Sequence, residues 1–223
     1  MRIIIHSLAV LGLVFLSTVC IADNILVTLS TSMGDIEVEL YADEAPITVS
    51  SFLEHVDAGD YDNVIFHRVI AGFMIQAGGY HEDMSEVEKG DNVRNEADNG
   101  LMNARGTLAM ARMDEIDSAR MQFFINAGDN SHLDHSSDSC TRIDETKRAD
   151  AAARGLYKPQ TCESFGYAVF GAVVNGMDVL EEIELVDTGL KGGYQDVPLE
   201  PIFITSIKRV GTINVNNDRS QVK

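Results

Sequence analysis

Eight short runs of strand-forming residues, each closed by turn punctuation, constrain this chain more than any other feature of its 223 residues. The first pair is the clearest. Ile25-Leu26-Val27-Thr28-Leu29 is β-rich, Gly34-Asp35 is a turn, and Ile36, Val38 and Leu40 then alternate with Glu37 and Glu39. Period-two alternation marks a strand with one wet face, so the pair reads as a hairpin. Further runs follow at 64–70, 73–77, 107–111, 122–126, 168–174 and 201–210. Only two of the stretches between them carry an apolar face at helical spacing. Pro46 opens one, with Val49, Phe52, Leu53 and Val56 on its face and Gly59 as its stop. The other, 176–186, aligns Met177, Leu180 and Ile183. Many short strands with two helices predict one domain, built on an antiparallel barrel or sandwich.

Charge and missing motifs narrow the function. Lys and Arg number 17 against 35 Asp and Glu, a net charge of −18. Such a chain is repelled by phosphate backbones and anionic lipid, which argues against generic nucleic-acid or membrane binding. Three cysteines are too few for a zinc ribbon or a disulfide-dense miniprotein. No phosphate-binding GxxxxGK[ST], HExxH, GxSxG or GxGxxG is present. His132-Leu133-Asp134-His135 is the tightest metal-like cluster, but no second cluster completes a shell, so no metal is expected. Glu181 and Glu182 read as solvent-facing.

Residues 1–22 read as an address. Arg2 is a positive start, Leu8 to Leu16 form a short apolar run, and Cys20-Ile21-Ala22 offers small residues at a cleavage site. This is the pattern of a secretory signal peptide, with an apolar stretch short for a membrane span. Lipidation of Cys20 is disfavoured because Val19 precedes it. Cleavage leaves a domain over 23–211 and a polar, flexible tail over 212–223. It removes one Arg and no acid, taking the charge to −19. It also leaves Cys140 and Cys162, which in an exported protein are expected to pair, two free thiols being the alternative.

Those cysteines lie within a composition shift at about 135–163. Asp144 caps an expected Ala-rich helix over 145–154, with Gly155 as its stop. Between the cysteines five basic residues stand against three acidic ones. The segment reads as an insertion stapled at its base, a tolerated surface excursion rather than a partner-binding element.

The chemistry concentrates in 66–76. A strand reading puts Phe66, Arg68 and Ile70 on one face, and Phe73, Met74 and Gln76 follow the Gly72 turn. Gln122-Phe123-Phe124-Ile125-Asn126 then alternates amides with aromatics. An Arg among apolar groups with two Gln nearby suits an uncharged peptide held in a greasy pocket. The same residues also fit core strands with one Arg reaching solvent.

FHRVIAGFMIQAGG (66–79) closely resembles the cyclophilin signature. NEADNGLMNARGTLAMAR (95–112), QFFIN (122–126) and FGYAVFGAVVNGMDVLEEI (165–183) resemble the matching segments of bacterial members, in the family's order. The resemblance implies a closed eight-stranded antiparallel β-barrel capped by two α-helices. It also implies peptidyl-prolyl cis-trans isomerase activity, here in an exported bacterial member. Arg68 matches the family's catalytic arginine. Phe73, Met74, Gln76, Ala111, Gln122, Phe124 and Leu133 match its proline pocket and peptide groove. Tyr167 falls where many eukaryotic members have His and bacterial ones commonly Tyr. His132 falls where the family has an aromatic, Trp in cyclosporin-sensitive members, which implies weak cyclosporin binding. Arg112 replaces a groove Asn of eukaryotic members and Met121 replaces a usual Ser, both of which bear on preference around proline.

The implied partners are proline-containing peptides and unfolded exported proteins, in the periplasm or after secretion. No cofactor is implied, and a monomer is the family's default. A cyclophilin-like barrel that holds such chains without turnover is the alternative, kept open by the rim at Arg112 and His132 and by the insertion.

Overall fold

The computed structural model describes residues 24–213 apart from 88–89, 137–139, 157 and 159. The expected leader at 1–22 lies outside these residues, as does the tail from 214 on. β1 (Asn24–Thr31) and β2 (Gly34–Leu40) form the expected hairpin, in register from Ile25 opposite Leu40 to Thr31 opposite Gly34. Val27, Leu29, Ile36, Val38 and Leu40 turn inward and are fully buried.

Helix α1 (Pro46–Ala58) starts without a capping side chain of its own. Glu96 supplies the cap from elsewhere in the chain. Its carboxylate accepts from the Thr48 N–H at 2.8 Å, the Thr48 hydroxyl at 2.7 Å and the Ile47 N–H at 3.2 Å. Those bonds satisfy orphan amides and set a negative charge against the positive helix end. Gly59 ends the helix at φ 71°, a left-handed turn that costs other residues a steric penalty, with its N–H on the His55 and Val56 carbonyls. The helix seats Phe52 against the rings of Tyr61, Phe123 and Phe170 at 5.2–5.6 Å. Complete burial of such a ring contributes about 1.5–3 kcal/mol.

The remaining strands are β3 (Val64–Ile65), β4 (Arg68–Ile70), β5 (Met74–Ala77), β6 (Thr107–Met110), β7 (Phe123–Asn126) and β8 (Val169–Asn175). Past α3 (Met177–Glu184) come β9 (Thr188–Lys191), β10 (Tyr194–Pro198) and β11 (Phe203–Ile213). Nine of them form one curled antiparallel half-barrel in the order β3-β11-β1-β2-β8-β6-β7-β5-β4, and β9 and β10 make a separate hairpin.

Among the described residues nine strands stand where eight in a closed ring were expected, because the run 64–70 is two strands. The Phe66 N–H bonds the Ile202 carbonyl at 2.9 Å, and β3 pairs with β11 at one end of the sheet. The His67 N–H bonds the Gln76 carbonyl at 3.0 Å, and β4 pairs with β5 at the other end. The chain therefore passes from one edge of the sheet to the other across Phe66-His67. Among the described residues no strand pairing joins β3 to β4; a bond from the Ile65 N–H to the Tyr80 carbonyl at 3.0 Å spans the seam. The same crossing corrects the expected face. Phe66 joins the central core, while Arg68 and Ile70 are only partly covered.

One other difference concerns length. The last strand continues through Gly211, Thr212 and Ile213, opposite Leu26, Ile25 and Asn24, where a flexible tail was expected from 212. A third helix, α2 (Glu145–Ala153), is the expected helix of the insertion, capped by Asp144 through the Thr146 N–H at 2.8 Å. Cys140 and Cys162 are joined by a disulfide, with Cα atoms 6.6 Å apart. Asp117 takes both Arg148, at 2.8 Å, and Arg142, fastening the insertion to the loop after β6. Among the described residues no helix is long and apolar enough to cross a membrane.

Candidate active site

Strand alternation divides five neighbouring strands into an inner and an outer set. Val69, Ile75, Phe123, Ile125, Leu108, Met110 and Phe170 point into the central core. Their neighbours in sequence must then face outward. Pairing sets those neighbours in one row across β4, β5, β7, β6 and β8: Arg68 opposite Gln76, Gln76 opposite Phe124, Phe124 opposite Ala109, Ala109 opposite Val169. Directly paired side chains have Cβ atoms about 4.5–5.5 Å apart, so the row is a continuous outer surface.

That surface is apolar in its middle. Met74, Ala109, Phe124 and Val169 form a cluster distinct from the central core, and Phe73, Ala111, Leu133 and Tyr167 pack against it, partly exposed. Tyr167 meets the Phe124 ring edge-on at 5.7 Å, and His132 stacks on Phe73 at 5.7 Å with 24° between planes. Gln76 Nε2 donates to Gln122 Oε1 at 3.0 Å. Gly79 makes room for this pair, since a Cβ there would stand 2.4 Å from the Gln122 amide carbon.

Arg68 borders the cluster. Its guanidinium carbon lies 5.9 Å from the centre of the Phe73 ring, and its Nε lies 4.0 Å from Asp196 Oδ2 on β10. Arg112 is placed differently. Its acceptors are backbone carbonyls: Gly166, Met113, Cys162 and Glu163, each at 2.9 Å. Its guanidinium carbon sits 4.8 Å from the Tyr167 ring centre. Burial pulls the Arg112 pKa down, opposed by Tyr167 and the nearby acids. The structure thus gathers Arg68, Phe73, Met74, Gln76, Ala111, Gln122, Phe124, His132, Leu133 and Tyr167 on one face, with Arg112 behind Tyr167.

Buried amides hold this face from beneath. The Phe73 carbonyl accepts from Asn130 Nδ2 at 2.7 Å and the Ala127 N–H at 2.9 Å. Asn130 also donates to Asn126 Oδ1 at 2.7 Å, and Asn126 donates to the Thr107 hydroxyl at 2.9 Å. Asn103 donates to the Leu133 carbonyl at 3.2 Å. On the other side Glu184 takes the Gly72 N–H at 3.0 Å and Arg105 Nη2 at 2.6 Å. Burial pushes the Glu184 pKa up, but the bonds from Arg105 and Gly72 and the Arg105 charge hold it below the ordinary carboxylate value. Sequence reasoning missed these groups. Asn126 and Asn130, four apart beside an apolar strand, were the available signal; Asp196 and Glu184 had none.

The two histidines of the 132–135 loop have separate partners. His132 stacks on Phe73, whereas His135 Nδ1 lies 2.8 Å from the Phe165 carbonyl oxygen. Among the described residues no group of three or more His, Cys, Asp or Glu is placed to hold a metal ion.

Comparison with known proteins agrees with this geometry. Residues 26–209 match the family model described as cyclophilin type peptidyl-prolyl cis-trans isomerase/CLD. Peptidyl-prolyl cis-trans isomerase A of Dickeya dadantii is 46% identical over 82% of this chain and 83% of its own. Peptidyl-prolyl cis-trans isomerase B of Escherichia coli is 43% identical over 82% of this chain and 98% of its own. A Cryptosporidium parvum cyclophilin type isomerase shares the fold at a TM-score of 0.60 and 23% identity, covering 84% of this chain and 98% of its own. The same protein has been solved in the presence of the dipeptide Ala-Pro, at a TM-score of 0.56 and 22% identity to this chain, covering 83% and 99%. With the signature strand, the outer-face groove and these relatives in agreement, the chain belongs to the cyclophilin-type peptidyl-prolyl cis-trans isomerase family.

Proposed function

We propose that the outer-face groove accelerates cis-trans rotation about Xaa-Pro bonds, with Arg68 stabilising the twisted transition state. The observation that carries this is the row itself: a permanently charged donor stands at the edge of a partly exposed apolar cluster, opposite Gln76. An amide resists rotation because the nitrogen lone pair is delocalised into the carbonyl, with a barrier of roughly 18–20 kcal/mol. At the twisted midpoint the bond is nearly single and the nitrogen becomes a better hydrogen-bond acceptor. A guanidinium beside that nitrogen then binds the transition state better than either planar state, which is what lowers a barrier. Arg keeps its proton and presents a rigid fork, so it suits the role better than Lys.

Phe73, Met74, Phe124 and Leu133 hold the pyrrolidine ring in this reading. Gln76 and Gln122 bond the substrate backbone, leaving the group before proline free to swing. No proton moves and no covalent intermediate forms. The substrates are unfolded exported proteins. An exported location is supported by the leader pattern in residues 1–22 and by the Cys140–Cys162 disulfide, a bond favoured in oxidising compartments.

The test is NMR exchange spectroscopy on a short Ala-Pro peptide with protein spanning 23–223. Uncatalysed exchange takes tens to hundreds of seconds. Catalysed exchange within the mixing time is expected, with shifts concentrated at Phe73, Gln122 and Phe124. Binding at those residues without faster exchange would leave a peptide-holding module instead.

A further inference from the structure

We propose that Arg112 is a positioning residue through which the disulfide-closed insertion sets the place of Tyr167 in the groove. The proposal rests on the proline-groove reading above and adds a specificity role to a segment that sequence alone marks as an idle excursion.

Three observations carry it. Arg112 follows β6 by two residues, and its fork ties that strand's exit to the far leg of the insertion, through the carbonyls of Cys162, Glu163 and Gly166. Three short bonds to backbone carbonyls are a geometric clamp, since each fixes a direction as well as a distance. The clamp meets the groove directly, because the same guanidinium covers the Tyr167 ring, which packs edge-to-face with Phe124. A stacked cation of this kind contributes orientation that an alkyl ammonium cannot reproduce.

The disulfide holds the other end. Cys162 contributes one of the clamped carbonyls, its N–H bonds the Asp114 carbonyl at 3.2 Å, and the bridge ties it to Cys140. Both cysteines pack on a third apolar cluster of Ala97, Ile116, Phe165 and Ala168. Ala168 is the residue after Tyr167. Arg142 adds to the same unit, lying 4.7 Å from the Phe165 ring centre and pairing with Asp117. Opening the bridge frees the Cys162 carbonyl to drift, and Arg112 and Tyr167 with it, while Arg68 keeps its place beside Phe73 and Asp196.

The experiment compares the wild type, the double variant Cys140→Ser/Cys162→Ser, Arg112→Lys, and the triple combination, each checked for fold by circular dichroism. The expected result is a rise in KM for Xaa-Pro peptides of about 3- to 10-fold with kcat within about twofold, as for lost uniform binding. Arg112→Lys keeps the charge but loses the fork, so it should reproduce the rise without rescue. The triple variant should be no worse than the serine pair, since both act on one path. A 13C-labelled Tyr167 ring supplies a readout independent of turnover, and its signal should move in each variant. An unmoved ring signal, or KM effects that add, would overturn the coupling. If the serine pair does not fold, reduction of the folded wild type with dithiothreitol replaces it, and a Tyr167 signal and KM unmoved by reduction overturn the coupling. Absence of turnover in the wild type with a moved ring would instead count against the isomerase reading.

Discussion

Arg68 Nε lies 4.0 Å from Asp196 Oδ2, so a carboxylate from the β9–β10 hairpin stands behind the guanidinium at the groove's edge. Asp196 reaches this place with a left-handed backbone, φ 60°. Both side chains are about two-fifths exposed, 42% and 41%, and the pair is therefore modest, about 0.2–1 kcal/mol. Its value lies in orientation, since engaging Nε leaves the two outer nitrogens for substrate. Asp196→Asn should lower kcat/KM by about two- to fivefold. Measured in rising salt, the gap to wild type should narrow as the exposed pair is screened.

The amide network beneath Phe73 is a stability element. Asn126 is fully buried and bonded to Asn130, Asn103 and Thr107. Asn126→Ala strands those partners, and each lost buried bond costs about 1–3 kcal/mol. Urea unfolding should show a lower midpoint with an unchanged slope. A midpoint equal to wild type would remove the network from the explanation of how Phe73 is held.

Part of this site was legible from period-two alternation in 66–76 and 122–126, and Ala111, His132, Leu133 and Tyr167 came only from the resemblance to the cyclophilin signature. Phe124 and Gln76 fall on one face as soon as their strands are drawn, and the β1–β2 hairpin follows from the same rule. What alternation cannot show is where a strand changes partner. Phe66 and Arg68 share parity, yet the edge-to-edge crossing at Phe66-His67 sends one to the core and the other to the groove. Long-range polar contacts were equally hidden. Glu96 caps a helix that begins 50 residues earlier, and Asp196 meets Arg68 from a hairpin whose strands, Thr188–Lys191 and Tyr194–Pro198, are buried only at Val197 and Pro198 and carry no apolar alternation in sequence. Arg112 enters the groove set through the family resemblance, and its bonds to the carbonyls of Met113, Cys162, Glu163 and Gly166 had no signal in the sequence.

Acid should loosen the Gly72–Phe73 turn through Glu184. Its folded pKa is held below the unfolded value of about 4.3. A depressed carboxylate contributes stability that is full above the unfolded pKa and lost as pH falls through the folded one. Glu184→Gln should therefore be less stable than wild type at neutral pH, with the difference shrinking below about pH 4. Thermal unfolding across pH 2.5 to 7 (approximate limits spanning that carboxylate range) reads this directly; a difference independent of pH would contradict it.

His132 offers a test of ligand preference. The imidazole is exposed and stacks on Phe73, where cyclosporin-sensitive relatives are expected to carry Trp. An indole adds apolar area and an N–H donor at that rim. His132→Trp should tighten cyclosporin binding by at least about tenfold, roughly the 1.4 kcal/mol that such a ring contact supplies. The chain has no other Trp, so the new residue is its own fluorescent reporter.

Arg68→Ala is the most direct test of catalysis at this groove. Cis-trans exchange on an Ala-Pro peptide should slow by more than about tenfold in kcat/KM, consistent with loss of one transition-state donor. Peptide shifts at Phe73 and Phe124 should persist, and the melting temperature should stay near wild type because the side chain is half exposed. An unchanged rate in the folded variant would contradict the assignment of Arg68 and, with it, the transition-state role of the row it shares with Gln76 and Phe124.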